Sequence, residues 1–186
     1  MKRGVCIVEC IDADDPGSEG RVLKEIFNLM EVESKLVRAN SITELLETVA
    51  ESKFRHVHVS THGALTDDNK FKGWWTPKGS GTRRRVEMYD IRLPCISIVS
   101  TACRSGAKGF AKHVTENWGC RRYIAPLGSP SFYDAVLFSH IYYHKLFKTR
   151  RTVDGAFASY DDHYKNPHGF TLYAKTRSAI RSRRGC

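Results

Sequence analysis

Long hydrophobic runs are missing from this sequence. No apolar stretch approaches the roughly 18 residues of a membrane-spanning helix, and the opening MKRGVCIVECIDADD has no signal-peptide cleavage pattern. The expected setting is therefore the cytoplasm, with no membrane partner. Cysteine occurs six times, at Cys6, Cys10, Cys95, Cys103, Cys120 and Cys186, but never as Cys-x-x-Cys. That argues against a disulfide scaffold or a ribbon-type zinc site and leaves reduced thiols as the expectation. Internal repeats, low-complexity tracts and Pro- or Ser-rich linkers are also lacking. With 186 residues, 41% hydrophobic and 27% charged, the chain reads as a single globular domain with a real core.

Acidic residues become scarce toward the C-terminus. Residues 1–103 hold 15 basic and 15 acidic side chains, whereas 104–186 hold 15 basic and only 5 acidic. The whole excess of +10 thus lies in the second part and is densest in KTRSAIRSRRGC, read here as a basic tail over 175–186 after a domain over 1–174. Such charge either solubilises a surface or attracts nucleic acid, anionic lipid or an acidic protein. No nucleic-acid-binding motif accompanies it.

Short β-branched runs alternate with longer amphipathic ones, the signature of an α/β domain. Strands are expected at 4–10, 34–39, 56–60, 95–100, 121–127 and 169–174. Between them lie helices near 18–30, 42–52, 107–118, 132–146 and 152–164, the second opened by a Ser41/Glu44 capping box. Strands joined through crossover helices run parallel with both faces covered. The last strand follows two helices and is free to return antiparallel. An open parallel sheet holds its active site beyond the carboxyl ends of its strands.

Those ends carry reactive side chains. The third strand runs into VHVSTHGAL, putting His62 and Gly63 at the edge, and the fourth runs into SIVSTACRSG, putting Cys103 there. A thiol needs a neighbouring base to become a nucleophilic thiolate, and imidazole titrates in the right range. Gly63, Ala102, Ser105 and Gly106 are small enough to let a substrate backbone approach.

A hydrophobic strand ending in His-Gly, then one ending in Ala-Cys, resembles the caspase-like (clan CD) cysteine peptidases, including metacaspases and CHAT domains. The likeness extends over residues 4–174 and includes GCRRYIAPLGSPSFYDAVLFSHIYYHKLFKTRRTVDGAF, similar to the strand, loop and two helices that follow the nucleophile in CHAT-type members. The resemblance implies a three-layer caspase-like fold with a mostly parallel six-stranded sheet. It implies Cys103 as nucleophile, His62 as proton carrier, and the N–H groups of Gly63 and Cys103 as an oxyanion hole. No cofactor or metal is implied. The expected partners are a protein or peptide substrate and a regulatory partner or small-molecule activator. Relatives of this kind often act as controlled effectors in defence or cell death.

The sequence also departs from the family. Relatives that cleave after basic residues often carry Asp two places before the cysteine, where Thr101 stands here. Specificity for Arg or Lys is expected instead from Asp12 or Asp14 in the loop after the first strand. The competing reading makes Asp12, Asp14 and Asp15 a solvated turn before a helix. Thr101, Ser129 and Phe132 are further candidates to line a substrate groove, though Phe132 can equally open the core face of a helix. Trp74 and Trp75 fit either a peptide-binding surface or a hairpin packed on the sheet, in a loop whose Arg83–Arg85 segment is a candidate gate.

Two rival functions remain open at this stage. His56, His58 and His62 superficially resemble a metallo-hydrolase motif, but the spacing is one residue too long and its Asp is missing. A catalytically silent module is the other, binding nucleic acid or a regulatory partner through its basic second half.

Overall fold

Val5 and Ile7 point to one side of the first strand, Cys6 and Val8 to the other, and both pairs are buried. A strand apolar on both faces must lie inside a sheet covered by helices on each side. The computed structural model has that architecture, and it describes residues 1–12, 14–15, 18–79, 81–82, 91–93 and 95–175. The expected basic tail, apart from Lys175, and the Arg83–Arg85 segment lie outside the described residues.

The main sheet contains β1 (Lys2–Cys10), β2 (Ser34–Arg38), β3 (Phe54–Thr61), β7 (Ser97–Ser100), β8 (Arg122–Pro126) and β9 (Phe170–Ala174). Their spatial order is β2-β1-β3-β7-β8-β9, all parallel except β9, which pairs antiparallel with β8. One face is covered by α1 (Glu19–Leu29), α4 (Phe132–Phe147) and α5 (Val153–Tyr164), through Phe27, Phe138, Tyr143 and Tyr160. Facing the other side are α2 (Ile42–Glu51), α3 (Lys108–Lys112) and the turn that continues it, through Leu45, Leu46, Phe110 and Val114. This is the three-layer α/β arrangement expected from the sequence.

Two details differ from the sequence expectation. The helix expected over 107–118 changes to a π turn over His113–Asn117, where Trp118 N–H reaches the His113 carbonyl at 3.1 Å. The wider turn accompanies burial of Trp118 against Trp74 and Phe110. The long excursion after β3 forms a small antiparallel sheet of β4 (Gly63–Leu65), β5 (Phe71–Trp74) and β6 (Gly81–Thr82). Trp74 anchors it: fully buried, it donates from Nε1 to Ser100 Oγ at 3.1 Å. The packed-hairpin reading therefore holds for Trp74.

Candidate active site

β3 and β7 are hydrogen-bonded neighbours running the same way, with Val59 beside Ser100. Their carboxyl ends therefore open onto one rim, and the segments after them carry His62 and Cys103. Thr61 ties that rim together, its hydroxyl lying within donating reach of the Cys10 carbonyl at 2.8 Å and the Trp75 carbonyl at 2.6 Å.

After Cys103 the chain turns sharply, with Arg104 in the left-handed region at φ 57°. Arg104 N–H donates to Gly128 O and Gly106 N–H to Pro126 O, both at 2.8 Å, which staples the turn to the end of β8. None of these staples uses the Cys103 N–H. A Cβ at Gly63 would stand 2.1 Å from the Cys103 carbonyl oxygen, so the two turns meet backbone to backbone and position 63 must be glycine.

His62 Nε2 lies 2.6 Å from Asp15 Oδ2. Its ring meets Trp75 and Phe132 edge-on, with centroids 5.8 and 5.4 Å away. Phe132 is held there by the start of α4, where Ser131 and Asp134 form a reciprocal capping box.

A cavity of about 300 Å³ opens at this point, lined by His62, Cys103, Thr61, Thr101, Phe132 and Glu19, with Pro130, Ser131 and Ala135 completing the wall. Cys103 is partly accessible, whereas Cys6, Cys10, Cys95 and Cys120 are buried. Burial pushes the Cys10 thiol up to about 12 and the Cys6 thiol above its usual range, so neither supplies thiolate at neutral pH.

Glu19 is 2% exposed yet borders the cavity. The Thr101 hydroxyl donates to its Oε2 at 2.6 Å, while Ser139 Oγ and His58 Nε2 stand 3.2 and 3.1 Å from Oε1. Burial pushes this carboxyl up, but the His58 contact and the donated hydrogen bonds outweigh it and hold Glu19 below the usual carboxylate range. These contacts favour the carboxylate form of Glu19 in the cavity wall. Its position is fixed by a second buried acid, Glu9 at the end of β1, whose Oε1 accepts from Ser18 Oγ at 2.7 Å and Gly20 N–H at 3.0 Å. Sequence reading missed Glu19. A glutamate in the first turn of a helix normally signals only the helix dipole, and what distinguishes this one is burial.

The other sequence candidates are spread around the same rim. Thr101 and Phe132 line the cavity, and Gly63 abuts Cys103. Asp12 and Asp14 are exposed and do not line it, and neither does the exposed Ser129. Of the metal-motif histidines, His56 packs against Phe147 and hydrogen-bonds Ser97, while His58 bridges Tyr143 and Glu19. Among the described residues no three His, Cys, Asp or Glu side chains converge as metal donors, and no helix is long and apolar enough to cross a membrane.

No protein-family profile matches the sequence, and no curated protein matches it. Solved structures do. The chain is similar to separase from Saccharomyces cerevisiae, in the crystal structure of the separase–securin complex. The TM-score is 0.61 at 14% identity, over 92% of this chain and 12% of that one. The fold is therefore caspase-like, and this chain spans about one-eighth of that separase's length.

Proposed function

We propose that this protein is a caspase-like cysteine endopeptidase that cleaves after Arg or Lys. The observation that carries the reading is one open cavity bordered by an accessible thiol, an imidazole and a buried, hydrogen-bonded carboxyl group: Cys103, His62 and Glu19. In the proposed reaction His62 takes the Cys103 proton and the thiolate attacks the scissile carbonyl carbon. The oxyanion is held by N–H groups at Gly63 and Cys103. His62 then gives its proton to the leaving amine, which leaves a thioester, and afterwards deprotonates the water that hydrolyses it.

Glu19 supports the choice of a basic side chain. A carboxylate in a poorly solvated wall attracts a guanidinium or ammonium far more strongly than one in water. It takes over the role that sequence reading assigned to Asp12 or Asp14. We further propose a regulated effector role in a defence or cell-death pathway, in which a protein partner or small molecule controls access to the site. The securin-bound neighbour is compatible with control by a protein.

A peptide-library digest tests the assignment. Wild type should cleave after Arg or Lys and Cys103→Ala should cleave nothing. Glu19→Gln should lose the basic preference by at least about 10-fold in kcat/KM. A profile led by acidic or apolar residues would reject the specificity, and hydrolysis surviving Cys103→Ala would reject the nucleophile.

A further inference from the structure

Three acids follow β1 within four positions, and only one of them turns toward the imidazole. Asp12 and Asp14 are exposed, whereas the Asp15 side chain is 18% exposed and reaches His62 at 2.6 Å. The Asp15 N–H donates to the Asp12 carbonyl at 3.2 Å, closing the turn that directs the side chain inward. The contact uses Nε2, so Nδ1 is the ring nitrogen left to serve the cavity. Ring rotation is restricted by the Trp75 and Phe132 contacts, and Trp75 N–H donates to the His62 carbonyl at 2.9 Å.

We propose that Asp15 is a positioning residue that fixes the tautomer and orientation of His62, giving an ordered Asp15–His62–Cys103 series. This rests on the peptidase reading above. With Asp15 ionised, neutral His62 carries its proton on Nε2 and donates it to the carboxylate, so the Nδ1 lone pair is open. The Cys103 S–H bond then breaks as an Nδ1–H bond forms. The resulting imidazolium lies against the Asp15 carboxylate, which stays ionised throughout. Without Asp15 the imidazole is free to place its proton on Nδ1, the tautomer that cannot accept from the thiol. Among the described residues, the titratable groups that line the cavity with His62 are Cys103 and Glu19.

Two measurements on Asp15→Asn and Asp15→Ala test this. With an Arg-terminated peptide, kcat should fall on the order of 10²-fold while KM changes little, and Asp15→Glu should recover part of the loss. Independently of hydrolysis, the rate of Cys103 alkylation by iodoacetamide is followed against pH, with Cys103→Ala as the blank. Its acid limb should move to higher pH in Asp15→Asn, because the imidazolium that accompanies the thiolate has lost its counter-charge. Unchanged kcat together with an unchanged alkylation profile would overturn the proposal. So would faster turnover in Asp15→Ala, which would make the contact a lock. If wild type hydrolyses no peptide, the peptidase reading fails but the alkylation profile still decides whether Asp15 governs His62.

Discussion

At the scale of single residues, the site depends on one missing side chain. A methyl group on Gly63 would meet the carbonyl oxygen and carbon of Cys103 at 2.1 and 2.9 Å, and those are backbone atoms that no rotamer change can move aside. Gly63→Ala must therefore push the β3–β4 turn away from the β7–α3 turn. Overpacking of this kind costs about 1–3 kcal/mol. For a chain of this size that lowers the thermal midpoint by roughly 2–4 °C per kcal/mol. The same displacement should reduce kcat/KM by more than about 10-fold, because sub-ångström alignment is lost. Thermal melts and peptide hydrolysis on one preparation read both effects, and a variant with wild-type values in each would show that the two turns are free to part. The His-Gly and Ala-Cys pairs were legible in the sequence because each follows a β-branched run that dictates which rim it occupies. Which acid faces the imidazole and which borders the cavity was not. Asp12, Asp14 and Asp15 are chemically alike, and the choice between them is made by a loop turn that no periodicity encodes. Glu19 is buried among donors from β3, from Thr101 just past β7 and from α4, a convergence that exists only in three dimensions.

At the scale of elements, β3 carries a built-in acid sensitivity. Alternation puts His56 and His58 on one face of the strand, under α4. Burial, aided by the nearby Arg55 charge, lowers the His56 pKa from 6.5 to about 4. Between those values the unfolded chain binds a proton that the folded chain refuses. The stabilisation is complete above pH 6.5 and is lost as pH falls toward 4, by about 3 kcal/mol in all. Glu19, also held low, adds its own loss as pH falls below its ordinary range. Urea midpoints measured from pH 7.5 to 4.5 should fall steeply for wild type and more shallowly for His56→Gln. A flat wild-type curve would mean that His56 is not buried neutral. The same alternation made most of the fold legible, because strands and helices announce themselves by period and the His-Gly and Ala-Cys runs sit at strand ends. The hairpin and the π turn were harder to read. Both depend on where Trp74 and Trp118 meet Phe110, a contact between residues distant in sequence.

At the scale of the whole molecule, basic side chains gather at the amino ends of the strands, a clustering invisible in the linear count that assigned the excess to the second part of the chain. Parallel strands gather their amino ends at one rim. Lys2 and Arg3 stand at the start of β1, Lys53 and Arg55 at β3, Arg121 and Arg122 at β8, and Arg3 shares a groove with Lys148 and Arg150 from the α4–α5 connection. Two of these charges are paired, Lys2 with Glu33 and Arg122 with Asp154. The opposite rim carries Asp12, Asp14, Asp15 and Glu19 near the cavity, with Arg38 paired to Glu9 and Arg104 beside Cys103 as basic groups there. A molecule polarised in this way should present its basic rim to an anionic surface and its acidic rim to a cationic substrate. Arg150→Glu with Arg151→Glu should therefore shorten retention on a cation exchanger more than Lys72→Glu with Lys78→Glu, although both pairs change net charge equally. The rim pair should also leave kcat/KM for an Arg peptide, and its decline with added salt, close to wild type. Equal retention shifts would show that the charge acts as a mean rather than as a pole, and a changed salt dependence would show that the two rims are not electrostatically separate.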